Sequence, residues 1–186
     1  IDTNSVKVRV KGEYACFTQP ALKVERITYP CMTPSAARGV LECILWKPEF
    51  QWVVKSIKIL KPIVFSSFKR NELNYILRRL NKGQCWHQPY LGTREFSCVF
   101  FPVTQEDEDR ANELNLTYPI GSMLFDIWYD RDHNTKPIYM QEAVVQNSTL
   151  ICPSELNEQM LSTSHLRAKQ GEFVNSILFE FSKKED

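Results

Sequence analysis

Hydrophobic and polar positions alternate most clearly near the start of the chain. The segment VKVRVK, residues 6–11, alternates valine with a cation, which predicts a half-buried strand with a basic outer face. Residues 50–60 (FQWVVKSIKIL) predict a second strand, and residues 90–103 (YLGTREFSCVFFPV) predict a third that opens with a glycine turn. Two apolar runs, residues 121–130 and 136–145, flank the polar turn RDHNT and predict a β-hairpin.

A hydrophobic stripe at helical spacing follows the first strand. Thr33 suits the N-cap, and Pro34 suits the first helical position, where its missing N–H is not needed. The stripe consists of Ala36, Ala37, Val40, Leu41, Ile44 and Leu45. Pro48 cannot continue the helix, so we expect the helix to end before it. Gly39 costs about 1 kcal/mol relative to alanine inside a helix, which is easiest to understand if another backbone or a ligand approaches closely there.

The remaining patterns are less regular. Residues 61–72 (KPIVFSSFKRNE) predict a projecting extended segment. A second helix is predicted from Leu73, Ile76, Leu77 and Leu80, with Asn71 as its cap and Gly83 as its end. Residues 105–115 (QEDEDRANELN) are expected to form an acidic surface loop, and residues 154–168 a polar helical stretch. The segment FVNSILFEF, residues 173–181, predicts a strand.

The order of the elements indicates the fold class. Strand, helix, strand, projecting segment, helix and strand predict an α+β fold that begins as a split β-α-β unit of the ferredoxin type. A sheet of this kind is a common RNA-binding surface. We expect residues 1–103 to form this ferredoxin-like domain, and residues 104–172 to form a small C-terminal antiparallel β-hairpin subdomain and tail.

Composition excludes several classes of protein and site. The chain has 186 residues, of which 43% are hydrophobic, so it can bury a substantial core, and it has no apolar run long enough to span a membrane. Its six cysteines include no Cys-x-x-Cys pair, which argues against a zinc site and favours reduced thiols in a cytoplasmic protein, several of them in the core. No carboxylate cluster indicates a divalent-metal site, and we expect no cofactor.

The net charge of +1 conceals an asymmetry along the chain. Residues 1–103 contain 16 Lys and Arg against 7 Asp and Glu, whereas residues 104–186 contain 7 against 15. This distribution predicts one face for a polyanion and a separate face for other partners. Chance clustering on two solvated faces is the competing interpretation.

Four segments, in order along the chain, together resemble a known family. Residues 12–50 (GEYACFTQPALKVERITYPCMTPSAARGVLECILWKPEF) are similar to the N-terminal signature of the CRISPR-associated RAMP proteins, in particular the fifth Cas protein of subtype I-C. Residues 61–72, residues 82–96 (KGQCWHQPYLGTREF) and the apolar run 121–130 continue the resemblance. Together the segments cover most of residues 6–152, and four in order make the resemblance specific.

The resemblance implies a fold, an activity and partners. The family has an RRM-like, ferredoxin-type RAMP domain with a projecting thumb, here at about residues 61–72, followed by a small C-terminal sheet. It binds the 5′ handle of a CRISPR RNA within the Cascade complex, beside the backbone, large and small subunits, and meets target DNA through that complex. In subtype I-C it also cuts the precursor RNA. It works in the cytoplasm, without contact with a membrane.

Basic and aromatic residues on the expected RNA side are the candidate binding residues. The cations that would contact phosphates are Lys7, Arg9, Lys11, Lys23, Arg26, Arg38, Lys47 and Arg94, with Lys69 and Arg70 near the tip of the thumb. The aromatic residues that would stack on unpaired bases are Tyr14, Phe17, Trp46 and Trp86. For each aromatic residue, packing in the core is the competing interpretation, and for the thumb tip it is a solvent-exposed charged loop.

The candidate chemistry is cleavage of RNA without a metal ion. Such cleavage needs a base for the 2′-OH, a donor for the leaving 5′-oxygen and cations around the phosphorane. The subtype I-C nucleases use a tyrosine near the end of the first helix and a Lys-His pair before the second, but here Leu45 occupies the tyrosine position and the Lys-His segment is absent. His87 and Tyr90 are therefore the candidate catalytic residues. A subunit that binds RNA without cutting it is the alternative.

The absent segment also leaves a gap in the expected sheet, because a ferredoxin-type sheet has a strand between the thumb and the second helix. We hypothesise that residues 173–181 fill this place and complete the first domain. A position on the C-terminal subdomain would contradict the hypothesis.

Overall fold

The computed structural model describes residues 5–22, 24–47, 50–67, 87–129, 135–156, 172–176 and 179–182. Within these ranges the structure has helices α1 (Pro34–Ile44) and α2 (Gln105–Leu114), a short 3-10 helix at Pro20–Leu22, and helical residues at 154–156. The strands are β1 (Ser5–Gly12), β2 (Phe50–Lys58), β3 (Cys98–Pro102), β4 (Tyr118–Tyr129), β5 (Thr135–Gln146), β6 (Thr149–Ile151), β7 (Glu172–Ser176) and β8 (Phe179–Ser182). The fold is mixed α/β with mainly antiparallel pairing, as expected. None of the helices in these ranges is long and apolar enough to cross a membrane.

The strands in the described ranges form one sheet in the order β3-β1-β7-β8-β2-β6-β5-β4. β1 runs antiparallel to β3, with Arg9 opposite Phe101. β4 and β5 pair along their whole length as the predicted hairpin, and β6 adds to β5 through the two-residue turn at Asn147 and Ser148, which both have positive φ. The ferredoxin-type assignment and the thumb stay predictions.

The C-terminal segment lies in the middle of this sheet. It was expected as one strand, and the structure divides it into β7 and β8. β8 runs antiparallel to β1, with Val6 opposite Phe181, and β7 runs parallel to β2, with Trp52 opposite Val174. The two short strands therefore lie between β1 and β2. The division of the chain into domains at residue 103 stays a prediction.

Helix α1 begins and ends as its sequence predicts. The Thr33 hydroxyl accepts a hydrogen bond of 3.2 Å from the Ala36 N–H, which satisfies one of the unpaired donors of the first turn. Pro34 occupies the first turn, and the last helical residue is Ile44. Leu45 is already extended, and its carbonyl oxygen accepts a hydrogen bond of 2.7 Å from the indole Nε1 of Trp52 on β2. The end of α1 is thereby fixed to the sheet.

Helix α2 corrects one prediction, since residues 105–115 were expected to form an acidic loop. The Asp107 carboxylate accepts hydrogen bonds from the Thr104 N–H at 3.0 Å and from the Thr104 hydroxyl at 2.8 Å. Asn115 ends the helix in the left-handed conformation. Three acidic residues in the first turn also favour a helix, because they complement its dipole. These local signals specify a helix that lacks an apolar stripe.

The core lies between α1 and the sheet. Its buried side chains include Ala37, Val40, Leu41, Val54, Ile57, Met123, Val145 and Leu150. Cys31, Cys98 and Cys152 are also buried, which confirms that several cysteines pack in the core. Burial raises the pKa of the Cys31 thiol to about 12. A thiol that resists ionisation in this way is a weak nucleophile, so this cysteine acts as a packing residue.

Some predictions fall on residues that the structure does not describe. These are the second helix from Asn71 to Gly83, the tip of the thumb, and the polar helical stretch beyond residue 156. Residues 61–67 are described, they lie outside the helices and strands, and Val64 and Phe65 are exposed.

Candidate functional site

A cleft of about 280 Å³ opens along one side of α1. Its lining includes Ser35, Gly39 and Cys43 from the α1 side, Tyr90 and Gly92 from a loop, Phe17 and Thr18 after β1, and Leu124 from β4. Its volume lies just below the range of about 300–1,000 Å³ that is typical of small-molecule pockets. None of the lining residues that the structure identifies is charged.

Gly39 forms part of the wall of this cleft. A Cβ atom built on Gly39 would meet no atom of the described chain within 4 Å. Close approach by another backbone segment was one of two explanations for this glycine, and no described segment provides it. The space beside Gly39 is therefore open within the described ranges.

The opposite wall of the cleft is a loop that covers residues 87–97. The His87 N–H donates to the Cys43 carbonyl oxygen at 3.0 Å, so the loop begins against the last turn of α1. The loop is also bound to the chain after β1, because the Cys16 N–H donates to the Leu91 carbonyl oxygen at 3.0 Å. Gly92 has a φ of +86°, and a Cβ atom there would lie 2.0 Å from the Cys16 carbonyl oxygen. Glycine is therefore required at this contact.

The loop brings the two candidate catalytic residues towards α1. Tyr90 lines the cleft, and its backbone is paired with that of Ser97. His87 is exposed at the end of α1, where the resemblance expects a tyrosine and the chain has Leu45. Leu45 and Trp46 are also exposed. The end of α1 and the two candidate residues His87 and Tyr90 thus lie on neighbouring segments, and their catalytic roles stay predictions.

Arg38 is neutralised by carboxylates. Its Nη2 donates to Oδ1 of Asp126 on β4 at 2.7 Å, its Nη1 pairs with Oδ2 of the same residue, and its Nε lies 3.4 Å from Glu42 Oε1. Only 15% of the Arg38 side chain and 4% of the Asp126 side chain are exposed. Such a two-pronged pair is strong and directional. It joins α1 to the β4–β5 hairpin, and a phosphate contact by Arg38 stays a prediction.

Helix α2 neutralises part of the basic face of β1. Asp107 accepts a hydrogen bond of 2.9 Å from Arg9, whose guanidinium also lies over the Phe101 ring, and Glu108 pairs with both Lys7 and Lys58. The acidic and basic parts of the chain were expected to form separate faces. In this part of the molecule that expectation is wrong, because the acidic helix packs directly against the basic strands.

The pKa values of the two α2 carboxyls follow from these contacts. Burial acts to raise the pKa of Asp107, but hydrogen bonds from the Thr104 N–H and from Arg9 outweigh it and hold the pKa below its ordinary value. Burial likewise acts to raise the pKa of Glu108, and the ammonium groups of Lys58 and Lys7 hold it below its ordinary value. Both carboxyls are therefore charged at neutral pH.

The other predicted binding residues are exposed or lie outside the described ranges. Arg26 has a positive φ and pairs with Glu95 at 3.3 Å, and the side chains of Trp46, Lys47, Lys11 and Arg94 are exposed. Lys23, Lys69, Arg70 and Trp86 fall on residues that the structure does not describe. Tyr14 is half exposed and 6.2 Å from the Phe96 ring, whereas Phe17 is buried and lines the cleft.

Sequence reasoning missed the hydroxyl and thiol groups of the cleft. Thr18, Ser35 and Cys43 line it, and none of them belongs to a motif. Ser35 and Cys43 share the Gly39 side of α1, so helical spacing alone could have grouped them. Within the described ranges, no group of three or more His, Cys, Asp or Glu side chains is placed to hold a metal ion.

Comparison with known proteins places the chain among CRISPR-associated proteins. Residues 5–75 match the family model described as CRISPR-associated protein (Cas_Cas5). A relative from Thermus thermophilus, the CRISPR pre-crRNA endoribonuclease Cas5d, is 37% identical, and the match covers 68% of this chain and 75% of the relative. A protein of the same name from Mannheimia succiniciproducens is 30% identical, with 84% of this chain and 98% of that protein covered.

Solved structures share the fold at lower identity. The functionally uncharacterized protein SMU1763c from Streptococcus mutans superimposes with a TM-score of 0.61 at 20% identity, over 80% of this chain and 92% of that protein. A crystal structure of a CRISPR-associated protein superimposes with a TM-score of 0.59, also at 20% identity, over 80% and 91%. At this identity the two structures support the fold alone.

Proposed function

The chain belongs to the Cas5d family of CRISPR-associated proteins, and we propose that it binds the 5′ handle of CRISPR RNA and cuts the precursor RNA. Both curated relatives described above are named pre-crRNA endoribonucleases, which is the basis for the activity. The observation that carries the proposal in this chain is the docking of the His87 loop against the end of α1, beside an uncharged cleft lined by Tyr90.

The fold that fits this function is a ferredoxin-like RAMP domain with a thumb. The order β1, α1, β2 and later β3 supports this assignment, with β1 lying beside β3. β7 and β8 lie between β1 and β2, where a ferredoxin-type sheet places its third strand. Residues 61–67 follow β2 as a largely exposed segment without helix or strand, which is consistent with the base of a thumb.

The chemistry is attack of a ribose 2′-OH on the neighbouring phosphate. His87 accepts the proton of the 2′-OH or donates a proton to the leaving 5′-oxygen, because an imidazole can act as a general base or as a general acid. Tyr90, on the same loop, provides a phenolic hydroxyl for the other of these two proton transfers. Arg94 and Lys47 stabilise the charge on the phosphorane, as exposed cations on the two segments that approach the end of α1. The products are a 2′,3′-cyclic phosphate and a 5′-OH.

The partners follow from the same family membership. The protein assembles into Cascade with the backbone, large and small subunits, and it reaches target DNA through that complex. The exposed apolar side chains Val64 and Phe65 at the thumb base provide a surface for a neighbouring subunit.

A second candidate function is a subunit that binds CRISPR RNA without cutting it. Leu45 at the tyrosine position and the absence of the Lys-His segment favour this alternative, because both remove groups that the resemblance implies for catalysis.

One assay separates the two functions. The protein is incubated with its cognate repeat RNA in EDTA, and with a scrambled RNA of equal length as control. A single cut in the repeat RNA alone supports the nuclease. Tight binding of a repeat RNA that stays intact supports the binding subunit and contradicts the enzyme proposal.

A further inference from the structure

We infer that the cleft beside Gly39 is a pocket for one unpaired nucleobase of the repeat RNA. This inference rests on the proposed function, because it names the part of the RNA that this site receives. Gly39 is a costly residue in the middle of a helix, and its position faces open space. A mid-helix glycine carries a cost in stability, yet the space beside Gly39 is open rather than filled by the described chain.

The chemistry of the lining selects a neutral group. Phosphates are bound by cations and N–H donors, whereas bases are recognised by stacking and by hydrogen bonds to their edges. None of the lining residues that the structure identifies is charged, and Phe17 and Tyr90 contribute aromatic surface. A base with its ring against these side chains is therefore a better occupant than a phosphate group.

Hydroxyl groups near the N-terminus of α1 supply polar contacts to the base. Ser35 Oγ lies 3.1 Å from Thr33 Oγ1, which in turn accepts from the Ala36 N–H, so the Ser35 hydroxyl is oriented by the helix cap. A hydroxyl has one donor and two acceptor positions, so Ser35 retains capacity for a base edge. Thr18 contributes a second hydroxyl from the chain after β1.

The size of the cleft is sufficient for a nucleobase. A volume of about 280 Å³ falls just short of the pockets that enclose drug-sized ligands. Two exposed cations follow residues of the cleft in the sequence: Arg94 comes two residues after Gly92, and Lys47 comes four residues after Cys43. These cations are available to the phosphates on either side of the base. Because the described lining is uncharged and these cations lie outside it, the base enters the pocket and the phosphates stay outside.

The test combines substitutions at Gly39 with repeat RNAs that each carry one abasic nucleotide. Gly39→Ala and Gly39→Leu place side chains in the cleft while improving helix propensity, so we expect the melting temperature of Gly39→Ala to rise by about 2–4 °C. Asn112→Ala on α2 is the control, since it improves helix propensity at an exposed position outside the cleft.

We expect Gly39→Leu and one particular abasic nucleotide to remove the same contact, so that their losses of affinity do not add. One abasic position weakens binding by the wild type about 10-fold, as loss of one stacked base does. Gly39→Leu weakens binding of the intact RNA by a similar factor, and it causes no further loss with that abasic RNA. Asn112→Ala binds like the wild type.

Three outcomes would overturn the inference. The first is unchanged RNA affinity in Gly39→Leu. The second is a loss in Gly39→Leu that adds to the loss caused by every abasic position, which would indicate that no single base of the RNA occupies the cleft. If either occurs while wild-type protein still cuts the repeat RNA in EDTA, the pocket is refuted and the proposed function stands. The third, no binding of repeat RNA by the wild type, refutes both.

Discussion

Arg9 on β1 donates a hydrogen bond of 2.9 Å to Asp107 on α2, across 98 residues of sequence. The Asp107 side chain is 1% exposed, and the Arg9 side chain is 29% exposed. Because Asp107 also accepts hydrogen bonds from Thr104, one carboxylate both begins α2 and fixes it to the sheet. This pair explains why an acidic segment packs against a basic strand.

Replacing Asp107 with asparagine should destabilise the protein by about 3 kcal/mol, because it leaves Arg9 without its buried counter-charge and weakens the helix cap. Asp109→Asn on the same helix is the matched control, since Asp109 is exposed and its substitution should cost about 0.5 kcal/mol or less. Urea denaturation of the two variants measures the difference. Equal midpoints for both would show that the Arg9–Asp107 pair does not stabilise the fold.

Stability should fall in acid because of the α2 carboxyls. The folded-state pKa values of Asp107 and Glu108 lie below their ordinary values of 3.8 and 4.5, so both groups stabilise the folded state above those values. This contribution is lost as the pH falls through the lower folded-state values. Urea midpoints measured from pH 6 to pH 3 should fall more steeply for the wild type than for Asp107→Asn. Parallel curves would contradict this assignment.

The Arg38–Asp126 pair should stabilise the fold rather than bind RNA, and its contribution should depend on the two-pronged contact. Arg38→Lys keeps the charge but loses the two-pronged contact, so we expect a loss of about 2 kcal/mol in the free energy of unfolding.

The slope of the logarithm of RNA affinity against the logarithm of salt concentration should be unchanged in Arg38→Met, because Asp126 already neutralises the guanidinium. A slope reduced by about 1 would instead assign Arg38 to a phosphate contact.

Substitution of His87 should affect the rate of cleavage more than binding. His87→Ala should lower the single-turnover rate on repeat RNA by about 10²–10⁴-fold, the usual contribution of a general acid or base, with little change in affinity. His133→Ala, at a histidine to which no role is assigned, is the control. If His87→Ala cuts at the wild-type rate, His87 is not the catalytic group.

The sequence predicted the helix that has an apolar stripe and missed the one whose local signals are a cap and an acidic first turn alone. α1 was predicted because its cap, its Pro34 and its apolar stripe all lie within one short segment. α2 was missed because it has no apolar stripe, and its fixed position depends on Arg9, Lys7 and Lys58, which are distant in sequence.

In the candidate site, too, some residues could be predicted from the sequence and others could not. Local composition singled out His87, Tyr90 and Gly39, and the structure places all three along α1 or against it. The pairing of Arg38 with Asp126 could not be predicted, because 88 residues separate them and several carboxylates were equally plausible partners. A charge count shows how many cations a chain has, but only the fold shows which of them are already neutralised.

The most direct test of metal-independent RNA cleavage is the chemistry of the RNA ends that the protein produces. Repeat RNA is incubated in EDTA with wild-type protein, and both fragments are analysed for their end groups. We expect one cut, with a 2′,3′-cyclic phosphate on the upstream fragment and a 5′-OH on the downstream fragment. Uncut RNA in EDTA, or a cut that needs added Mg²⁺ and leaves a 3′-OH and a 5′-phosphate, would contradict this expectation.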